Sequence, residues 1–151
     1  MATSDPSARP IKLAALDADD LAVLSAHVQD ATVKPAQIVF ERSAGRLLVP
    51  MNRFAWETPA ARRLLFPKYQ RRNAVLHIDR VSSLRGRGVD RDDEDAVLSL
   101  LAVEAITEGD ETRIALRFAD GVDLEASVSD IEVRLADLGG AWSTRSRPRH
   151  S

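Results

Sequence analysis

The chain has 151 residues, of which 44% are hydrophobic and 29% are charged, and its formal net charge is -2. This composition is typical of one globular domain with a single core and differs from that of an intrinsically disordered chain. Because the sequence contains no cysteine, disulfides, cysteine nucleophiles and cysteine-ligated metal centres are excluded. No apolar run approaches the roughly 18 residues of a membrane-spanning helix.

These properties predict a cytoplasmic protein without a membrane segment. Residues 1–10 are polar, lack the apolar centre of a signal peptide and predict a disordered tail. Residues 11–142 carry the patterns of a single α+β domain, and residues 143–151 predict a basic, mobile tail.

The first predicted element is an amphipathic helix over residues 18–30. Asp17 is a suitable N-cap, because its side chain can accept a hydrogen bond from the first turn. The apolar positions follow at spacings of three and four, as a helix with one buried face requires: Leu21, Leu24 and Val28.

A β-hairpin is predicted next, from the runs 37–42 and 46–54 on either side of Ser43-Ala44-Gly45. Pro50 in the second run favours an edge strand or a bulge, because proline has no N–H for a hydrogen-bond ladder. Residues 73–85 alternate in part between apolar and polar side chains and predict one further strand.

The last third of the chain predicts an antiparallel meander followed by a closing helix. The meander strands alternate with period two and are joined by short turns: residues 97–106, 113–118 and 122–128. Ser129 and Glu132 then match a capping box, and Ile131, Leu135 and Leu138 follow at helical spacing. The order of elements predicts an α+β fold with a strongly bent antiparallel sheet or split barrel of about six to seven strands, similar to the pleckstrin-homology type, an N-terminal helix and a C-terminal capping helix.

Several stretches resemble a bacterial family known as domain of unknown function 2948. They are Ile11 to Leu21 with Ser25 to Ala31, Asn52-Arg53-Phe54-Ala55-Trp56-Glu57, Arg87 to Leu101, and Arg134 to Gly139 with Trp142. Together they cover nearly the whole chain. The resemblance implies a bacterial single-domain protein, and it implies no activity, substrate or site.

The sequence contains no recognisable catalytic or metal-binding motif. The histidines, His27, His77 and His150, lack the spacing of metal ligands. The acidic run Asp90 to Asp95 fails as an EF-hand loop, since Asp95 and Leu101 stand where glycine and glutamate are needed. No serine lies in a Gly-x-Ser-x-Gly elbow. We therefore predict no catalytic residue, no metal and no cofactor.

One segment is strongly basic, with nine Lys/Arg residues between Arg62 and Arg91 against Asp79 and Asp90. Basic side chains beside Phe66 and Tyr69 could hold phosphates and stack a base. The candidate anion or nucleic-acid contacts are Arg62, Arg63, Lys68, Arg71, Arg72, Arg85 and Arg87. The alternative is that these residues cover solvated surfaces, and a pI near 5.9 lacks the basicity typical of nucleic-acid modules.

Phe54 and Trp56 are a second candidate, because they share one side of a strand. If that strand is an edge, its backbone and the two rings could accept an added strand from a partner. The alternative is that both rings belong to the core.

The favoured function is a non-enzymatic interaction domain that binds a protein or peptide partner or self-associates. The second hypothesis is an RNA- or DNA-binding accessory protein that uses the basic segment 62–91. The third is an enzyme whose residues the sequence does not identify.

Overall fold

A computed structural model describes residues 10–54 and 71–138 of the chain. Within these residues there are one α-helix, α1 (Ala18–Val28), and ten β-strands. The strands are β1 (Lys12–Ala15), β2 (Thr32–Val33), β3 (Val39–Glu41), β4 (Arg46–Phe54), β5 (Arg71–Ile78), β6 (Val81–Arg87), β7 (Leu98–Glu108), β8 (Glu111–Phe118), β9 (Asp123–Val128) and β10 (Val133–Asp137).

The ten strands form one open antiparallel sheet, in the order β1-β10-β5-β4-β2-β7-β8-β9-β6. β3 pairs with β4 outside this path. The first and last strands of the described chain are neighbours, with Leu13 opposite Leu135. β1 and β6 are therefore the two edges of the sheet, and β5 and β4 lie in its interior.

The predicted fold is wrong in its strand number, its barrel closure and its C-terminal helix. The residues assigned to that helix include β10, which lies between β1 and β5 in the sheet. Val133, Leu135 and Asp137 are its inward-facing residues. Because Asp137 is a carboxylate, the apolar residues of this segment do not show the alternation typical of a strand. The spacing of Leu135 and Leu138 therefore led to the prediction of a helix.

The predicted strand over residues 73–85 is in fact two strands, β5 and β6, in different parts of the sheet. Arg80 between them has φ of 61°, a left-handed conformation that breaks an extended chain. β5 pairs with β4 and β10, whereas β6 pairs with β9. The backbone N–H of Asp79 donates to the carbonyl of Glu132 at 3.0 Å, which ties this corner to the segment that enters β10.

α1 begins as the sequence predicts and ends two residues earlier. The N–H of Asp20 donates to Oδ1 of Asp17 at 2.8 Å, which caps the first turn. The helix buries Leu21, Leu24 and Val28 in the same apolar cluster that holds the inward side chains of the strands. The predicted hairpin and meander are confirmed as β3–β4 and as β7, β8 and β9.

Pro50 lies in an interior strand, contrary to the prediction of an edge. β4 pairs with β5 along its whole length. On its other side, β3 pairs as far as Leu48 and β2 pairs at Asn52. Pro50 falls in the gap between them, which explains how an interior strand accommodates a residue without an N–H.

Candidate functional site

The sheet has two outward-facing surfaces of different chemistry. The first, which we call the basic face, consists of the outward side chains of β1, β10, β5 and β4. They alternate with buried positions along each strand: Lys12, Ala14, Arg134, Ala136, Arg71, Asn73, Val75, His77, Arg46, Leu48, Pro50, Asn52 and Phe54. Four are cations and none is a carboxylate. A half-buried apolar stripe of Leu48, Pro50, Val75 and Ala136 crosses its centre.

The second surface, which we call the laddered face, consists of the outward side chains of β7, β8, β9 and β6. Its charged residues are four arginines and five carboxylates: Arg85, Arg87, Arg113, Arg117, Glu104, Glu108, Glu111, Asp123 and Glu125. Arg113 contacts three carboxylates at once and lies 2.6 Å from Glu108, 3.1 Å from Glu111 and 3.1 Å from Glu125. Arg117 lies 3.2 Å from Glu104 and 3.4 Å from Asp123. The charges of this surface are therefore largely neutralised by one another.

The basic face has only partial compensation of its charge. Beside the turn between β5 and β6, Arg46 Nε and Arg134 Nη2 donate to the two oxygens of Asp79, at 2.8 and 3.0 Å. Burial raises the pKa of Asp79, but the hydrogen bond from Arg46 and the charges of both arginines outweigh it and hold the pKa below its usual value. Lys12 and Arg71 have no carboxylate within ion-pairing distance among the described residues.

A cavity of about 450 Å³ opens on the basic face between β4, β5 and the turn after β2. We call it the amide pocket, after Asn52 and Asn73 on its floor. Its lining residues in the described part of the chain are Thr32, Lys34, Gln37, Pro50, Met51, Asn52, Asn73, Ala74, Val75 and Leu138, and none of these is acidic. Nδ2 of Asn52 donates to Oδ1 of Asn73 at 3.0 Å, and Leu138 N–H donates to the carbonyl of Asn73 at 2.8 Å.

A second depression, of about 330 Å³, lies beside β1. It is lined by Lys12, Ala14, His77 and Arg134 together with neighbouring residues of β1 and β10. Nδ1 of His77 is buried and has no hydrogen-bond partner in the described part of the chain. Burial, followed by the positive charge of Arg134, holds the pKa of His77 below its usual value, so the ring is neutral at pH 7.

Beneath the amide pocket lies a charge pair that the sequence analysis missed. Arg53 Nε and Nη2 donate to the two oxygens of Asp137 at 2.8 and 2.7 Å, and both side chains are 0% exposed. Asp137 also accepts from the N–H of Ile11 at 3.0 Å. Arg53 continues the inward-facing series Leu47, Val49 and Met51, and this alternation could have predicted from the sequence that Arg53 is buried. The pair fixes β1, β10 and β4 together and thereby positions the pocket wall.

The structure does not gather the predicted basic residues on one face. Arg71 and Arg72 are adjacent on β5, so Arg71 points outward and Arg72 points inward, where it is 7% exposed. Arg85 lies on the laddered face 3.3 Å from Glu125, and Arg87 is exposed on the same strand. Arg62, Arg63 and Lys68 lie outside the described residues.

The predicted partner-binding site at Phe54 and Trp56 required an edge strand, but β4 is an interior strand. Phe54 is half-buried at the end of β4, and the guanidinium of Arg71 lies 4.2 Å from the centre of its ring. Trp56 lies outside the described residues. The structure thus brings together one residue from each predicted site, Arg71 and Phe54, on the basic face.

Within residues 10–54 and 71–138, no group of three or more His, Cys, Asp or Glu residues is arranged to hold a metal ion. No helix there has the length and apolar character that crossing a bilayer requires.

A protein-family model described as "Protein of unknown function (DUF2948)" matches residues 11–150. The chain therefore belongs to this family, as the resemblance noted above implies. A comparison with curated proteins and a comparison with solved structures each found no match.

Proposed function

We propose that this protein is a non-enzymatic interaction domain whose basic face binds an extended, acidic segment of a protein partner. The observation that supports it is the combination of uncompensated cations and a half-buried apolar stripe on one side of the sheet. Lys12, Lys34 and Arg71 supply positive charge that no described carboxylate neutralises. Charge complementarity of this kind steers encounter and selects partners of opposite sign.

The apolar stripe favours a peptide as the ligand. Pro50, Val75 and Ala136 offer apolar contact area, and the amide pocket places Asn52 and Asn73 within reach of a peptide backbone. Peptide sites commonly combine apolar pockets for alternate side chains with polar groups that bond the main chain. An acidic peptide with apolar residues between its carboxylates would satisfy both parts of this surface.

A second copy of the chain fits the basic face poorly. In a symmetric dimer built on this face, each cation would meet the same surface of its partner, so like charges would be brought together. The laddered face of a second copy is also a poor partner for the basic face, because its carboxylates already contact Arg85, Arg113 and Arg117.

Nucleic acid remains the second candidate, since the same cations would attract phosphates. Single-stranded nucleic acids are usually held by stacking of bases on aromatic rings. Phe54, the one Phe, Tyr or Trp residue on the described basic face, is covered by Arg71. The apolar stripe also has no counterpart in a phosphate backbone. We also propose a cytoplasmic setting, which the absence of cysteine favours.

The proposal is tested by selecting phage-displayed random dodecapeptides on the purified full chain. We expect enrichment of sequences that combine Asp or Glu with apolar residues. A selected peptide, labelled with fluorescein, then reports binding by anisotropy. The double variant Lys12→Glu/Lys34→Glu should weaken binding at least about tenfold, equivalent to about 1.4 kcal/mol.

The matched control is Arg85→Glu/Arg87→Glu, which changes the net charge equally but on the laddered side, and it should bind as the wild type does. Equal losses in both variants, or no acidic enrichment, would contradict the proposal. Single-stranded RNA and duplex DNA are titrated in parallel over a salt series. Affinity that falls, for each contacted phosphate, by roughly 0.9 log units per log unit of salt on duplex DNA, or by roughly 0.7 on single-stranded RNA, would support the second candidate instead.

A further inference from the structure

The amide pocket combines hydrogen-bond donors with the positive charge of Lys34, and none of its described lining residues is acidic. We infer that it is a binding site for a carboxylate group. The inference deepens the proposed function, and rests on it only in assigning that carboxylate to a peptide. The carboxylate could come from an acidic side chain or from a chain's C-terminus, and both sources present the same two oxygens.

Arg71 is not one of the described lining residues, but it hydrogen-bonds to two of them, Thr32 and Asn52, and among the described residues all of its hydrogen-bond partners are neutral. Its Nε donates to Oδ1 of Asn52, and its Nη2 lies 3.3 Å from Thr32 Oγ1 and 3.3 Å from the carbonyl of Asn52. The guanidinium also stacks on Phe54. Its orientation is therefore fixed while its charge is not neutralised, and Nη1 makes no hydrogen bond to the described residues. A fixed guanidinium with a free nitrogen is well suited to bind an oxyanion.

The remaining lining groups add donors to the same space. Lys34 is exposed, lines the pocket and has no ion pair to any described carboxylate. Because Oδ1 of Asn73 accepts from Asn52, the Nδ2 of Asn73 is left as a donor. The hydroxyl of Thr32 accepts from Arg71 and can donate its own proton. A carboxylate is acceptor-only and can accept from several donors at once, so it matches this arrangement.

The apolar part of the pocket indicates what accompanies the carboxylate. Pro50 and Val75 form part of the floor, and Leu138, which is 43% exposed, forms a wall. An apolar side chain next to the carboxylate would cover these surfaces. Free phosphate has no such apolar portion, and it is the natural competitor in a test.

The experiment uses the full chain labelled with ¹⁵N, and follows the side-chain amides of Asn52 and Asn73 and the Nε–H of Arg71. Acetate, acetamide and inorganic phosphate are titrated at constant ionic strength. We expect saturable shifts with acetate, with a dissociation constant on the order of millimolar, and none with acetamide. N-acetyl-leucine and N-acetyl-glutamate α-methylamide then distinguish an α-carboxylate from a side-chain carboxylate by which of them binds more tightly.

Lys34→Gln should weaken acetate binding at least about fivefold, by loss of one of two charges. Arg87→Gln, which removes one positive charge from the exposed side of β6 and outside the described pocket lining, should leave acetate binding unchanged. Thr32→Val, which keeps the shape and removes one support of Arg71, is a second variant with an expected loss. Equal shifts with acetamide, a linear response, tighter binding of phosphate than of N-acetyl-leucine, or unchanged affinity in Lys34→Gln would each overturn the inference.

The outcome is separable from that of the proposed function. If acetate binds but no peptide is selected, the carboxylate site is supported and the peptide-binding proposal is contradicted. If a peptide binds through Lys12 but acetate does not shift the amide signals of the pocket, the peptide-binding proposal is supported and the carboxylate site is contradicted.

Discussion

The basic face and the laddered face belong to the same sheet, yet they treat their charges in opposite ways. On the laddered face, Arg113 and Arg117 each contact at least two carboxylates across neighbouring strands. On the basic face, Arg71 is supported by neutral oxygens and a ring. Cross-strand ion pairs contribute to sheet stability, whereas a cation without a partner contributes little to it. The difference teaches that the paired charges of the laddered face serve the fold, whereas the charge of Arg71 has no described counter-charge and is one that our proposal assigns to a ligand.

The most deeply buried of the described ion pairs lies on neither surface. Asp137 is fully buried against Arg53, directly behind the basic face. Asp137→Asn should destabilise the protein by about 3–5 kcal/mol, because it leaves the Arg53 charge buried without its counter-charge. The corresponding change on the laddered face, Asp123→Asn, should cost at most about 1 kcal/mol, since that pair is partly exposed and Arg117 keeps other partners. Urea unfolding of both variants measures the contrast, and comparable losses would show that burial does not separate the two pairs.

Asp79 compensates two of the charges on the basic face, those of Arg46 and Arg134, so removing it sharpens the contrast. Asp79→Asn should cost about 1–3 kcal/mol at pH 7, the usual range for a hydrogen bond to a charged group. The pKa of Asp79 in the folded protein lies below its unfolded value. Its contribution is therefore complete above the unfolded pKa near 3.8 and is lost as the pH falls through the lower folded pKa.

Urea unfolding at pH 7 and at successively lower pH values tests this sign. The wild type should lose the stability that Asp79 provides in acid, and the Asp79→Asn variant should already lack it at pH 7. The difference between the two proteins should therefore shrink as the pH falls. A difference that grows on acidification would mean that the pKa of Asp79 is raised by its burial and that the arginines do not compensate for it.

Some of this organisation could be predicted from the sequence. The strands around Ile114, Leu116 and Phe118 have regular alternation, because each inward position is apolar. The rule is less informative where an inward position is charged, as at Arg53, Arg72 and Asp137. At Asp137 it failed, because the segment that contains β10 was predicted as a helix. The partner that makes Asp137 acceptable there is 84 residues away, and only the folded chain reveals it.

Which strands come together to form the basic face could also not be predicted from the sequence. This face joins β1 to β10 and β10 to β5, pairings between residues far apart in the chain that no local pattern specifies. Arg71 and Phe54 were each predicted as functional, but for different sites. Their contact depends on the register that places Phe54 opposite Arg71.

Glu125 offers a direct test of the laddered face, because it contacts Arg85, Arg113 and Arg117 together. Glu125→Gln should cost about 1 kcal/mol, the upper end for partly exposed ion pairs, because one carboxylate serves three arginines. Lys12→Gln on the basic face should change stability by no more than about 0.5 kcal/mol. Thermal unfolding at low and high salt is the measurement. Only the Glu125 effect should diminish with salt, and an equal salt dependence at Lys12 would mean that its charge also supports the fold.

The smallest expected effect is at His77, where the basic face changes its own charge with pH. Burial, and then the charge of Arg134, lower its pKa, Arg46 acts in the same direction and Asp79 opposes them. Since the folded chain resists protonation at this site, stability falls as the pH drops through the unfolded value near 6.5. Arg134→Gln should raise the pKa of His77 measured by NMR titration, because it removes a nearby positive charge. An unchanged pKa would mean that the charge of Arg134 has no measurable effect at His77 and that the lowering comes from burial and Arg46.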